Sequence, residues 1–193
     1  MLENNFEKVE KKLSEIIDLS IFNKVGMHSE SEIIDIEKKY NINFPEEYRM
    51  FVAKYGNATI KDDIYYKPIE KSSCTPDDGF DSLGVFYGFK EDNVNLCKMI
   101  ERYLGRMPQS LVPIAEAQGG NQICIGVEGD VFGKIYLWNH ENESLENDEC
   151  WSNLSLIAES LFDLIMSFEI YHRKSNVNLD DIEVWLDDEL FND

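Results

Sequence analysis

Between residues 111 and 141 the chain strings together β-branched and aromatic runs separated only by glycine-bearing turns, and this stretch limits the fold more than any other. Residues 121–128 and 134–139 are two such runs, joined by a short loop carrying Gly129, Asp130 and Gly133, the pattern of a β-hairpin. Gly119 and Gly120 make a turn just before them. Val112 and Ile114 flank Pro113, which lacks a ladder donor and therefore reads as part of an edge strand. Tyr136 and Trp138 alternate with Ile135 and Leu137, so one of these pairs should face a core.

Helical periodicity dominates on either side. Phe6, Val9, Leu13, Ile16 and Ile17 recur at helical spacing. The pattern breaks over 22–27, with Gly26 as the turn. Ser29 and Glu32 form a capping box for a second helix over about 30–40, with Ile33, Ile36 and Tyr40 inward and Asn41 and Asn43 ending it. Pro45 opens a third helix, followed by Glu46 and Glu47 at the positive end of its dipole. Tyr48, Phe51, Val52 and Tyr55 line its apolar side, and Gly56 stops it.

Residues 57–89 read as strands and loops, with a strand around 64–66, a surface loop over 71–82 and a short strand over 84–89. Asp92 is placed to cap a helix with Val94, Cys97, Ile100, Tyr103 and Leu104 inward. Residues 151–171 read as one long helix carrying Leu154, Ile157, Ala158, Leu161, Phe162, Ile165 and Phe168. Residues 175–178 interrupt the pattern. Leu179, Ile182, Leu186 and Leu190 then suggest a short, very acidic amphipathic helix. Helices at both ends around hairpin-linked strands predict an α+β fold, a central antiparallel sheet packed against helices. The expected division is a domain over 1–175 and an acidic segment over 176–193.

The composition narrows the partners. With 193 residues and 43% hydrophobic side chains, the chain can build a core, which excludes wholesale disorder. Its 38 acids against 18 bases give a net charge of −20. Such a surface repels phosphate backbones and anionic membranes, so neither nucleic acid nor membrane is an expected partner, whereas a basic protein is. No export signal or membrane-length apolar run is present, which predicts a cytoplasmic protein. In that compartment Cys74, Cys97, Cys124 and Cys150 are expected as free, mostly buried thiols.

Searches for chemistry return little. His28, His140 and His172 have no second ligand at metal-binding spacing, and His140 beside Glu141 reads as a loop histidine in water. The acidic stretch over 141–149 lacks the glycine of a calcium loop. No nucleophile elbow occurs, and no cysteine sits in an electropositive setting. Residues 129–134 resemble a phosphate cradle one residue short, with Ile135 where a magnesium-holding hydroxyl belongs. A hairpin turn explains them better. Among 38 acids, carboxylate pairs identify nothing. No cofactor, structural metal or enzymatic activity is expected.

Two blocks carry a family resemblance. One runs from Ile33 to Asn57 and holds Phe44-Pro45-Glu46-Glu47-Tyr48 and a helix ending Lys54-Tyr55-Gly56-Asn57. The other holds Val112-Pro113-Ile114-Ala115-Glu116, Gly119-Gly120-Asn121, Gly133-Lys134-Ile135-Tyr136-Leu137-Trp138 and Asn139-His140-Glu141. In this order they resemble the SUKH superfamily, which includes yeast cell-wall-synthesis regulators and bacterial toxin-immunity proteins. The likeness spans roughly residues 29–170 and leaves out the first helix. Ala117 and Gln118 stand where another acid or glycine is common. The resemblance implies a non-enzymatic α+β domain that binds a partner. The partner would be a secreted or contact-delivered toxin such as a nuclease, or alternatively a cellular protein held by a regulatory scaffold. The motif residues themselves read as core and turn positions.

The acidic end is the candidate binding face. Residues 141–193 hold 15 acids against Arg173 and Lys174. Asp180, Asp181, Glu183, Asp187, Asp188 and Glu189 surround Trp185. A solvated helix docked on the domain is the plainer reading of such a run. The functional reading is a surface facing the basic groove of a nuclease toxin, with Trp185 as anchor.

Overall fold

The computed structural model describes residues 2–19, 30–90, 93–142 and 151–172. Three helices come first: α1 (Leu2–Ile16), α2 (Glu30–Tyr40) and α3 (Glu46–Tyr55). The amphipathic spacing of each is met by burial: Phe6, Val9, Leu13 and Ile16 on α1, Ile33 and Ile36 on α2, and Tyr48, Phe51, Val52 and Tyr55 on α3. Asn41 ends α2 in the left-handed region, with φ 53°. Gly56 ends α3, but the left-handed residue is Asn57, with φ 66°. Gly56 is needed for space: a Cβ there would lie 2.9 Å from the Val52 carbonyl oxygen and 3.1 Å from Gly88 Cα.

Next come β1 (Ile64–Tyr65), β2 (Leu83–Phe86), α4 (Leu96–Tyr103), β3 (Leu111–Ala117), β4 (Gln122–Gly126) and β5 (Ile135–Trp138). β6 (Leu154–Ala158), α5 (Leu161–Ser167) and β7 (Glu169–Ile170) complete the described chain. A five-stranded antiparallel sheet runs in the order β2-β3-β4-β5-β6, and β1 pairs with β7 in a separate ribbon. The arrangement is α+β, as the sequence predicts. The β4–β5 hairpin matches too, with Cys124 opposite Tyr136. Gly119 and Gly120 turn into it at φ 71° and 85°, which glycine adopts without a steric penalty.

Helices pack on both faces of the sheet, the α4 face only in part, so alternation along β5 does not cleanly separate core from solvent. Phe86, Ala115, Ile123 and Leu137 share a cross-strand row, and Phe51 of α3 packs on Phe86 with ring centroids 4.6 Å apart. α1 and α5 join this helical layer through the stacked Phe6–Phe162 pair at 5.7 Å. On the opposite face α4 and the turn after it bring Tyr103 to 5.3 Å from Trp138, and Met107 against Cys124. Trp138, Ile135 and Leu137 are therefore all buried, and Tyr136 alone on β5 stays half-buried.

Four expectations need correction. Residues 151–171 do not form one helix. Leu154–Ala158 pairs with β5 as a strand, and only Leu161–Ser167 is helical. The spacing of Leu154, Ile157, Ala158 and Leu161 fits a helix by coincidence. Pairing with β5, which would otherwise be an apolar edge, overrides it. The break lies at Ser160, whose Oγ accepts the Asp163 N–H and caps α5.

Pro113 is not on an edge strand, since β3 lies between β2 and β4. It sits where β2 has ended and where β3 slips register against β4, and there a missing N–H is tolerated. α4 is capped by Asn95, not Asp92. Leu96, Met99, Ile100 and Tyr103 face inward, while Leu104 is 71% exposed. Among the described cysteines, all free, Cys124 is buried, Cys97 half-buried and Cys74 exposed. Gly26, Ser29, Asp92, Cys150 and the end over 176–193 lie outside the described residues.

Chain segments block both sheet edges. Residues 58–60 bond along β2, and the Ile69 and Glu70 N–H groups donate to Ile157 and Leu156 carbonyls of β6.

Buried tyrosines give the fold an alkaline limit. Burial pushes the Tyr48, Tyr66 and Tyr87 phenols above their ordinary value, and the Tyr48 and Tyr66 hydroxyls have no hydrogen-bond partner among the described residues. Burial, followed by the hydrogen bond to Glu10, pushes Tyr55 up to about 12. The unfolded chain ionises these phenols near pH ~10 while the folded chain keeps their protons. Their contribution is full below that pH and is lost as pH rises through the folded values. Urea midpoints should fall steadily above about pH 10, with the phenolate absorbance of these tyrosines rising in step with unfolding. Normal ionisation of all nine tyrosines in the folded protein would contradict this.

Candidate partner-binding surface

Every residue of the acidic candidate face, Asp180, Asp181, Glu183, Trp185, Asp187, Asp188 and Glu189, lies outside the described residues. The remaining candidates are the sequence-motif residues, the grooves and the half-covered sheet face.

The motif residues converge at one end of the β4–β5 hairpin. Asn121 Oδ1 accepts the His140 backbone N–H at 3.2 Å and lies 2.9 Å from His140 Nδ1. Gln122 Nε2 donates to the Gly120 and Asn121 carbonyls, and Gln122 Oε1 accepts from the Tyr87 hydroxyl. Asn139 donates to Ser73 Oγ at 3.1 Å and accepts the Glu141 N–H, while Asn153 Nδ2 donates to the Asn139 carbonyl. These amides tie residues 73–74, 120–122, 139–141 and 153 together. His140 is thus a half-buried strut, not the solvated loop residue its sequence context suggested. Most of the network's amide groups bond to one another, which is the work of a fold joint, while the buried Asn153 Oδ1 has no hydrogen-bond partner among the described residues.

No three His, Cys, Asp or Glu side chains gather into a metal site among the described residues. Burial pushes the Cys124 thiol well above its ordinary value, which leaves it protonated and inert. Residues 129–134 form the turn between β4 and β5, as the hairpin reading requires. A groove of about 590 Å³ between α2 and α3 is lined by Ile33, Ile34, Phe44, Met50, Ala53 and Phe132. It is mostly apolar.

The sheet face under α4 remains partly open at its β5–β6 side. Tyr136 and Trp138 stand opposite Leu156 and Leu154. Arg106 covers Trp138, its guanidinium 5.6 Å from the ring centroid. Beyond it Tyr136, Leu154 and Leu156 are half-buried, and Trp151 is 46% exposed. The Trp151 ring meets Tyr136 edge-on at 6.0 Å and 77°. Two carboxylates stand near Tyr136. Glu70 is held by the Leu156 N–H, which donates to its Oε2 at 2.9 Å, and Glu159 lies next to the end of β6. Burial, then these two acids, raises the Tyr136 phenol above its ordinary value.

The sequence hides this surface because the helical spacing of Leu154, Ile157, Ala158 and Leu161 carries Trp151 and Leu156 into an expected helix. The one usable signal was that Tyr136 and Trp138 alternate on a strand followed by another exposed aromatic.

No helix among the described residues is long and apolar enough to cross a membrane. Comparison with known proteins supplies the lineage. The SMI1-KNR4 cell-wall family model matches residues 30–165, which spans α2 through most of α5. α1 lies outside the match although its apolar face is part of the same core. The chain is also similar to the SPbeta prophage-derived uncharacterized protein YokK of Bacillus subtilis (strain 168). They are 30% identical over 174 residues, covering 84% of this chain and 85% of the relative. SUKH proteins are generally non-enzymatic immunity or regulatory proteins. By the family match and by its antiparallel α+β architecture, the chain belongs to the SMI1-KNR4 family of the SUKH superfamily.

Proposed function

We propose that this protein is an immunity protein that binds a bacterial toxin in the cytoplasm and neutralises it by occluding its active or substrate-binding surface. The supporting observation is a net charge of −20 on a member of a family that includes toxin-immunity proteins. A toxin that handles nucleic acid is basic where it holds phosphates, so an acidic protein binds there in competition with the substrate. The acids from Asp180 to Glu189 supply part of that charge. The name of the Bacillus relative describes that protein as prophage-derived.

The test is co-expression with each polypeptide encoded immediately beside this gene. One of them should arrest growth alone and lose that effect when this protein is present. If none is toxic, or toxicity persists undiminished, the immunity reading fails. The second reading, a regulatory scaffold, is favoured by the cell-wall description of the matching family. It requires a stable complex with a non-toxic cellular protein.

A further inference from the structure

We infer that the Tyr136–Trp151 pair, with Glu70 and Glu159, is the docking point for an arginine or lysine side chain on a basic segment of the partner. This deepens the immunity reading and takes its biological partner from it. The recognition chemistry stands on the geometry.

The edge-on pair offers a half-open notch, with Trp151 exposed and Tyr136 seated on the sheet. Aromatic faces attract cations, most strongly when carboxylates lie close enough to share the charge. Other aromatic residues of this protein already hold cations of their own. Arg106 lies 5.0 Å from the Tyr103 centroid, Lys67 4.6 Å from Phe80 and Lys54 5.1 Å from Phe6. Among the described residues none lies over Tyr136 or Trp151.

The flanking acids suit the same occupant. The Glu70 carboxylate accepts one hydrogen bond, from the Leu156 N–H to Oε2, which leaves its second oxygen for another donor. Glu159 approaches Lys134 only at 3.9 Å, with exposed side chains, so that pair is weak and easily exchanged. Leu154 and Leu156 supply an apolar floor for the aliphatic stem of the incoming side chain. A nucleic-acid occupant would place phosphates against Glu70 and Glu159 on a chain of charge −20. A basic protein segment matches the charge.

Two measurements on the full chain test this. In the first, acetyl-Arg-Arg-amide is titrated while the Trp151 indole N–H is followed by NMR, assigned with Trp151→Phe. Acetyl-citrulline-citrulline-amide, a neutral isostere, serves as control. The Trp151 signal should shift saturably with the arginine peptide and not with citrulline. The Glu70→Gln/Glu159→Gln double variant should weaken the arginine response several-fold. A response equal for both peptides, or unchanged in the double variant, overturns the proposal whatever the protein's function.

In the second, Trp151→Ala and Tyr136→Ala are measured against the toxin identified by co-expression. Each should weaken binding about thirtyfold, as truncated aromatic anchors do, with Trp151→Ala leaving the urea midpoint within the surface range and Tyr136→Ala keeping a cooperative urea transition. Wild-type affinity in both variants overturns the docking point while leaving the immunity reading in place. Failure to find any toxin removes that reading, and the peptide titration still decides the notch.

Discussion

Replacing Phe51 with alanine should destabilise the fold by about 3–5 kcal/mol, the usual cost of removing a large buried ring. Phe51 is fully buried on α3. It meets Phe86 of β2 edge-on at 4.6 Å and stacks on Tyr55 at 5.8 Å. It therefore joins the helical layer to the central sheet, and the cavity left behind is walled by elements that cannot close over it independently. Against a total stability of about 5–15 kcal/mol the loss is large. Urea unfolding should show a lower midpoint with an unchanged slope. Phe132→Ala, at a position 45% exposed, should stay within about 0.5 kcal/mol of the parent. Similar losses at both positions would contradict the layered core described here.

Gly126→Ala should cost about 3 kcal/mol or more, a severe case of overpacking. A Cβ on Gly126 would lie 1.8 Å from the Val131 carbonyl oxygen and 2.5 Å from its carbon. The obstacle is the backbone of the turn between β4 and β5, which a rotamer change cannot relieve. That turn is held by Gly126 N–H donating to the Lys134 carbonyl and Gly133 N–H donating to the Gly126 carbonyl, both at 2.9 Å. Relief would break the hairpin at the middle of the sheet. Gly129→Ala is the useful contrast. Gly129 has φ 60° but nothing within 4 Å of a built Cβ, so it should cost about 1 kcal/mol. Thermal or urea unfolding of the two variants checks the order, and equal costs would contradict the close approach.

Where local chemistry and tertiary packing agree, the sequence was legible. Pro45, the paired glutamates and the Tyr48–Phe51–Val52–Tyr55 spacing describe α3 as it stands. The alternation around Gly129 and Gly133 describes the β4–β5 hairpin. Where a long-range partner decides, it was not legible. Leu154–Ala158 satisfies helical spacing and becomes a strand because β5 is there to pair with it. Pro113 looked like an edge residue because nothing local announces that β2, ending at Phe86, leaves it room inside the sheet.

The same missing strand hid the candidate surface. Tyr136 and Trp151 meet only after β6 is placed, and Glu70 joins β6 at Leu156 from 86 residues earlier in the chain. The charge of the acidic end is plain in the sequence, because net charge needs no fold. The Asn121–His140 contact was not, since neither residue suggests the other across 19 positions of sequence.

The function proposed for this acidic protein is direct occlusion of a basic toxin. The most direct measurement is the association of the purified full chain with the polypeptide against which co-expression protects, followed by stopped-flow at low and high ionic strength. A one-to-one complex should form, fast at low salt and markedly slower as salt screens the opposed charges, with Asp187→Lys, Asp188→Lys and Glu189→Lys together slowing the low-salt rate several-fold. Protection without a complex, or a complex whose association rate ignores both salt and the triple reversal, would contradict it.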